Sequence, residues 1–314
     1  MSVIGVDLGG TKLALAVFEK DGRIIDRKTS PLENREGEDV GKLIVSEVQQ
    51  MISSNKEISS VGICVPGIYY ADTGCVWAPN ISGWDNYPLI NELQNAVKSK
   101  NISVKVDSDR ACYILGEIWQ GNAQGCTDAV FLAIGTGIGA GILCDGNIIR
   151  GHGDIAGALG WMALHRPFRD SYKTCGCFEY NASGEGIAKV AREMILKEKE
   201  YNGFLGEKDP DTISTRDVFE AYEKKDKIAA YVIDEAIIFW GMAIANIVST
   251  FNPEKIILGG GVFGPAVHYI DRINEEAKKW AQPISMQQVS IEPSALGGDA
   301  GLIGAGKLAM MQTD

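Results

Sequence analysis

The sequence predicts an α/β protein built from two duplicated βββαβα halves. Two observations carry this expectation: a three-stranded meander with a glycine turn at the start of the chain, and a second meander of the same layout beginning near residue 128. The length of 314 residues agrees, because at roughly 150 residues per domain it holds two cores.

The elements follow in order. Residues 3–8 and 13–18 read as strands around a glycine turn, and Asp21-Gly22 turns the chain into a third strand at 23–29. A helix is expected at about 38–53, where Val40, Leu43, Ile44, Val48 and Met51 recur at three- and four-residue steps. An apolar strand at 60–65 ends at Pro66-Gly67, and a long loop runs to about 86. A helix near 88–98, a strand at 103–106 and a helix at about 110–120, ended by Gly121, complete the first half. In the second half, strand 129–133, the turn Gly135-Thr136-Gly137-Ile138-Gly139, strand 140–144 and Asp145-Gly146 repeat the opening layout. Asp145-Gly146-Asn147-Ile148-Ile149 echoes Asp21-Gly22-Arg23-Ile24-Ile25. An apolar helix at 234–251 is stopped by Asn252-Pro253, and a strand at 255–258 runs into Gly259-Gly260-Gly261.

Composition narrows the function classes. A net charge of −11 and 23% charged residues describe a globular chain without a basic surface for phosphodiester backbones, so no nucleic-acid partner is expected. The apolar stretch Ala236–Val248 is shorter than the ~20 residues that cross a bilayer, so no membrane association is expected. Met1-Ser2-Val3-Ile4 runs straight into the first strand without a basic leader, and the seven cysteines are odd in number and mostly within apolar runs. Both features predict a cytoplasmic protein with reduced thiols.

Asp7-Leu8-Gly9-Gly10-Thr11-Lys12 places a carboxylate at a strand end, then two residues without side chains, then a hydroxyl and an ammonium. Backbone amides of Gly9 and Gly10, with Thr11 and Lys12, can bind phosphate oxygens, and Asp7 can hold hydrated magnesium. The same segment equally suits a plain hairpin that needs glycine. Gly135-Thr136-Gly137 is not a dinucleotide fingerprint, because a strand rather than a helix follows it. Two such turns at equivalent places of duplicated halves point to a grip on one polyphosphate, and Gly260 and Gly261 offer backbone to a flat ligand such as adenine.

These segments resemble the ROK family of sugar kinases and sugar-responsive repressors. The likeness runs through Asp7 to Lys12, through Ile134 to Gly160, and through Asn252-Pro253 to Gly261, nearly the whole chain. It implies the actin-like ATPase (ribonuclease H-like) fold, two βββαβα domains flanking a cleft that takes ATP and Mg2+. The closing helix, with Gly301-Leu302-Ile303-Gly304-Ala305-Gly306, would return to the first domain, giving an expected division into 1–108 plus about 296–314, and 109–295. Only six residues precede Asp7, leaving no room for the repressors' helix-turn-helix, so the kinase branch is expected. Family members are often dimers or tetramers, and a homo-oligomer is expected here.

Asp109, at the start of a helix, matches the family's catalytic aspartate, although the usual Asn-Asp-Ala-Asn reads Ser108-Asp109-Arg110-Ala111 here. As a base it would orient the sugar hydroxyl and take its proton; the alternative is a helix cap. Asn80, in Ala78-Pro79-Asn80-Ile81-Ser82-Gly83-Trp84, matches a residue that contacts sugar hydroxyls, against an Asx turn. Glu179 matches a sugar-holding glutamate, against a first-turn carboxylate, and Gly67, Ser108 and Trp161 complete the expected substrate set.

The chain departs from the family where Glu-x-Gly-His becomes Ala158-Leu159-Gly160-Trp161, which removes two polar groups and adds an indole able to stack on a sugar or fill space. The zinc motif is broken too: the two earlier cysteines of the family fall on Asp170 and Tyr172, and Cys175 is displaced from a ligand position. No family-type structural zinc is expected. The sequence therefore predicts ATP-dependent phosphorylation of a hexose or hexose-like sugar. The alternatives are a non-catalytic sugar-binding sensor on the same scaffold and an actin-like ATPase acting on proteins.

Overall fold

The chain's computed structural model describes residues 1–55, 57–198 and 200–311, and it divides into two units. The first comprises Met1–Gly125, Ile148–Ala156 and Ser294–Asp314; the second comprises Cys126–Asn147 and Gly157–Pro293. The division falls after residue 125 rather than after 108, and a short return at 148–156 joins the first unit. The expected boundary separated strand from helix at Asp109, whereas that helix packs into the first unit's own layers.

In the first unit, β1 (Ser2–Leu8), β2 (Lys12–Phe18) and β3 (Ile24–Pro31) form the expected antiparallel meander. After α1 (Gly37–Ser54), β4 (Ile58–Val65) pairs parallel to β1. A ribbon of β5 (Ile68–Tyr70) and β6 (Cys75–Trp77) occupies part of the expected loop. Then α2 (Leu89–Val97), β7 (Ser103–Ser108) and α3 (Asp109–Gln120) follow, and the sheet order is β3-β2-β1-β4-β7. One face of the sheet buries Ile4, Val6, Leu13 and Leu15 with Val40, Ile44 and Val48 of α1.

The second unit repeats the plan. Its sheet runs β10-β9-β8-β11-β12, from β8 (Ala129–Ile134), β9 (Ile138–Cys144), β10 (Asn147–Ile148), β11 (Lys255–Gly259) and β12 (Ser290–Pro293). The same order, a meander followed by two parallel additions, occurs in both halves and bears out the duplication. Between β10 and β11 lie α4 (Cys177–Ala182), α5 (Gly184–Lys197), α6 (Thr215–Glu223) and α7 (Lys227–Phe251). Helix α8 (Ile270–Trp280) and α9 (Pro283–Gln288) precede β12. Helix α7 starts earlier than the expected 234, because Asp226 caps it by accepting from Ile228 and Ala229. Its 25 residues are long and apolar enough to cross a bilayer, so the shorter length expected from the sequence is corrected. The helix is instead largely buried, with Trp240, Ile244 and Val248 in the core of this unit.

Helix α10 (Ala300–Met310) closes the first unit. It lies so near α3 that a Cβ on Gly304 would sit 1.8 Å from the carbonyl oxygen of Cys112. Glycine there is a condition of the packing.

Candidate active site

Strand pairing sets the first unit's polar centre. Asp7 on β1 pairs with Cys64 on β4, and Cys64 pairs with Asp107 on β7. Paired residues of parallel strands share a face, so these three side chains line up at the carboxyl ends of the strands, where open α/β sheets place their ligands. Helix α3 starts at once beyond β7. Ser108 caps it by accepting from the Ala111 amide at 3.3 Å, which puts Asp109 in its first turn. Ser108 is itself buried, so its oxygen serves the helix.

Asp109 accepts from the Arg110 amide at 2.8 Å. Burial raises its carboxyl to about 6; the Arg110 charge and amide act against that rise, and the charge of Asp7 adds to it. Asp7 is raised as well, first by burial, against a hydrogen bond from the Cys64 thiol and the field of Lys12. A Cβ on Gly301 would lie 2.9 Å from the Asp7 carboxylate, so α10 can pass it only because residue 301 lacks a side chain.

Between β1 and β2 the Gly9 amide donates to the Lys12 carbonyl at 2.9 Å, which closes the turn. Among the described residues the Gly10 and Thr11 amides, the Thr11 hydroxyl and the Lys12 ammonium make no hydrogen bond. That leaves a set of donors for anionic oxygens. Asn80 approaches this turn, its Cβ 3.9 Å from where a Gly10 Cβ would stand. Its amide also makes no hydrogen bond among the described residues, so the Asx-turn alternative is not formed. The loop is held instead by Trp84, which is 1% exposed, stacks on Tyr87 at 4.4 Å and donates to the Gly37 carbonyl at 2.9 Å.

Three neighbours were not anticipated. Arg110 donates to the carbonyls of Ala156 at 3.2 Å and Gly67 at 3.3 Å, tying Gly67, a glycine at φ +99°, to the return segment. Arg150 donates to the buried Asp107 at 3.1 Å through Nε and again through Nη2. Burial still raises the Asp107 carboxyl, against the Arg150 charge. Only the substitution of Arg110 into the family's segment was visible as a signal; nothing in the sequence joins residues 107 and 150.

The second unit gathers the other predicted residues. Gly135 donates to the Gly137 carbonyl at 3.0 Å, and its own carbonyl accepts from the Gly184 amide at 2.7 Å at the start of α5. Because β8 and β11 are parallel and Ala133 pairs with Gly259, the turn after β8 lies beside Gly260 and Gly261. Gly260 has φ +90°, and a Cβ there would meet the Ile134 carbonyl at 2.4 Å. Gly261 faces open space. Glu179, on α4, accepts from the Ile138 amide at 2.6 Å; burial raises its carboxyl and that bond opposes the rise. Its second oxygen has no hydrogen-bond partner among the described residues. Glu179 thus lies against Gly137 and Gly160, while Trp161 is 56% exposed.

The segment of the broken zinc motif is packed by aromatic rings. Tyr172, 3% exposed, meets Tyr180 at 5.3 Å and Phe168 at 6.1 Å, both edge-on. Among the described residues no three His, Cys, Asp or Glu side chains are placed to hold a metal ion.

The pattern of the ROK family matches residues 3–312. The chain belongs to the ROK family. It is 32% identical over 320 residues to a glucokinase of Halalkalibacterium halodurans, covering 98% of this chain and 95% of the relative. Among solved structures, a ROK hexokinase from Thermus thermophilus superposes with a TM-score of 0.81 at 26% identity, covering 98% of each chain. A ROK family glucokinase from Streptomyces griseus in complex with glucose and AMPPNP gives 0.76 at 28% identity, covering 98% of this chain and 99% of that one. The fold is the actin-like ATPase fold of the ROK sugar kinases.

Proposed function

We propose that this ROK protein is an ATP-dependent sugar kinase that phosphorylates a hydroxyl of a hexose or hexose-like sugar. The observation that carries this reading is Asp109: a half-buried carboxylate in the first turn of α3, raised to about 6 and so ionised at neutral pH yet basic enough to receive a proton. The similarity to glucokinases and to a glucokinase bound to glucose and AMPPNP supports the sugar and the nucleotide.

The sugar oxygen bonds to the γ-phosphorus of ATP as the bond from that phosphorus to the β,γ-bridging oxygen breaks, releasing ADP. The hydroxyl proton passes to Asp109, late in a loose transition state, so the carboxylate's main task is to aim the oxygen. Asn80 and the unpaired oxygen of Glu179 hold other sugar hydroxyls. Free donors at Gly10, Thr11 and Lys12, together with Gly135 to Gly137, take the phosphates, and Gly260 and Gly261 take the adenosine. Asp7 supplies a hard oxygen donor that no amide or hydroxyl engages among the described residues, which suits hydrated Mg2+. That ion, when bound, neutralises phosphate charge. We assign the protein to the cytoplasm, a placement supported by the seven free cysteines. We assign no structural zinc, because Tyr172 fills its place with ring packing.

A screen of hexoses with coupled ADP detection tests the reading. Sugar-stimulated ADP release that disappears in Asp109→Asn supports the kinase. Sugar binding without turnover favours a sensor, and ATP hydrolysis that no sugar stimulates favours an ATPase acting on other partners.

A further inference from the structure

Helix α3 carries a cation beside Asp109 that no acid pairs with among the described residues. Arg110 is half-buried in the first turn, and its guanidinium donates to main-chain carbonyls only: Ala156 at 3.2 Å, Gly67 at 3.3 Å and Ile155 at 3.4 Å. These bonds are long and their acceptors neutral, so they hold the group in place without balancing its charge. Among the described residues Arg110 has no ion pair, and its Nε–H makes no hydrogen bond.

The neighbouring carboxylates are committed elsewhere. Asp107 is held by Arg150, and Asp154 accepts from the Ala71 amide at 2.9 Å. Asp109 feels the Arg110 charge, yet in the kinase reading its own oxygens serve the reacting hydroxyl. The sequence points the same way. Arg110 stands where the family's segment has alanine, and the stretch it grips runs from Ala156, within two residues, into Ala158, where the family has glutamate. One departure adds a cation and the other removes an anion, a combined change that suits a ligand bringing its own negative charge. A single guanidinium balances one such charge, and its planar fork matches a carboxylate.

We propose that Arg110 is a substrate-binding residue that pairs with a carboxylate of the sugar, so that the enzyme's substrate is a sugar acid rather than a neutral hexose. The proposal rests on the sugar-kinase reading and narrows its substrate class. The ligand carboxylate takes the free Nε–H and displaces the longest of the carbonyl bonds, that to Ile155.

The full-length protein is assayed with MgATP on matched acid and neutral compounds: gluconate against glucitol, glucuronate against glucose, and galacturonate against galactose. Binding of the same compounds is measured by calorimetry with a non-hydrolysable ATP analogue. For at least one pair, kcat/KM and affinity for the acid exceed those for its neutral partner by about tenfold or more, the worth of a charge-assisted hydrogen bond. Arg110→Gln brings that ratio to one or below, and Arg110→Lys, a point charge without the fork, keeps part of it. Ala158→Glu, which leaves the carbonyl grip of Arg110 untouched, lowers the ratio through like-charge repulsion. Each ratio is taken within one variant, so general loss of activity does not move it. A neutral compound equal to or favoured over its acid in every pair, or an acid preference that Arg110→Gln leaves in place, overturns the assignment. If no compound releases ADP, the kinase reading fails, and the calorimetric ratios still decide Arg110 in the same two ways.

Discussion

Replacing Asp109 by asparagine should make the protein more stable and inactive, with both effects set by one pKa. In the unfolded chain this carboxyl titrates near the ordinary aspartate value of 3.8, and in the fold it titrates at about 6 because burial disfavours the anion. Below pH 3.8 both states are protonated and the carboxyl costs the fold nothing. As pH rises from there to about 6 the unfolded state has lost its proton and the native state still holds it, so stability falls across that window and is flat above it. The rise from 3.8 to about 6 corresponds to a ceiling of about 3 kcal/mol, and partial solvent access reduces this to about 1–3 kcal/mol. At about 2–4 °C per kcal/mol for a domain of this size, Asp109→Asn should melt several degrees higher than wild type at pH 8 and at the same temperature at pH 3.5. In the wild type, kcat/KM should fall about tenfold between pH 7 and pH 5, and the variant should lose about 10²–10⁴ in kcat. A stability gain that does not change with pH, or an acidic limb near 4, would refute the argument that burial tunes this carboxylate.

Gly304→Ala should cost about 1–3 kcal/mol or more in thermal or urea unfolding, because its Cβ would collide with a backbone carbonyl 1.8 Å away. Gly261→Ala meets open space and should leave the melting temperature unchanged, while the ATP KM rises if backbone at 261 borders the adenosine. Glu179→Gln keeps an acceptor for Ile138 but loses its charge, so the sugar KM should rise about tenfold or more with the ATP KM little moved. Arg150→Met leaves the buried Asp107 without its cation and should destabilise the protein by about 2–4 kcal/mol at pH 7, less at a pH low enough to protonate Asp107; urea melts at the two pH values check this.

The meanders were legible because Asp-Gly pairs mark their turns and apolar residues fill their strands. The ribbon of β5 and β6 was not, since strands of three residues between glycines and prolines carry no measurable alternation. The first turns of α7 were missed because Asp234-Glu235 interrupts its apolar run, while the real start signal is the cap at Asp226. At the site, the glycine turns follow from residue type and spacing, and Asp109, Asn80 and Glu179 from family likeness. The ion pair of Asp107 with Arg150 joins residues 43 apart in the chain, and only the folded first unit brings them together.

The early strands and the last helix belong to one body, while residues 157–293 form most of the other. During synthesis, the later-starting body has all of its chain once Pro293 has emerged, before the earlier-starting one does. The nascent sheet that began at Ser2 waits, with the face awaiting α10 uncovered, for Ala300–Met310 to arrive. Chains that terminate a few residues before Ala300 should therefore leave the ribosome with the interior segment protease-resistant and the amino-terminal portion a client of chaperones.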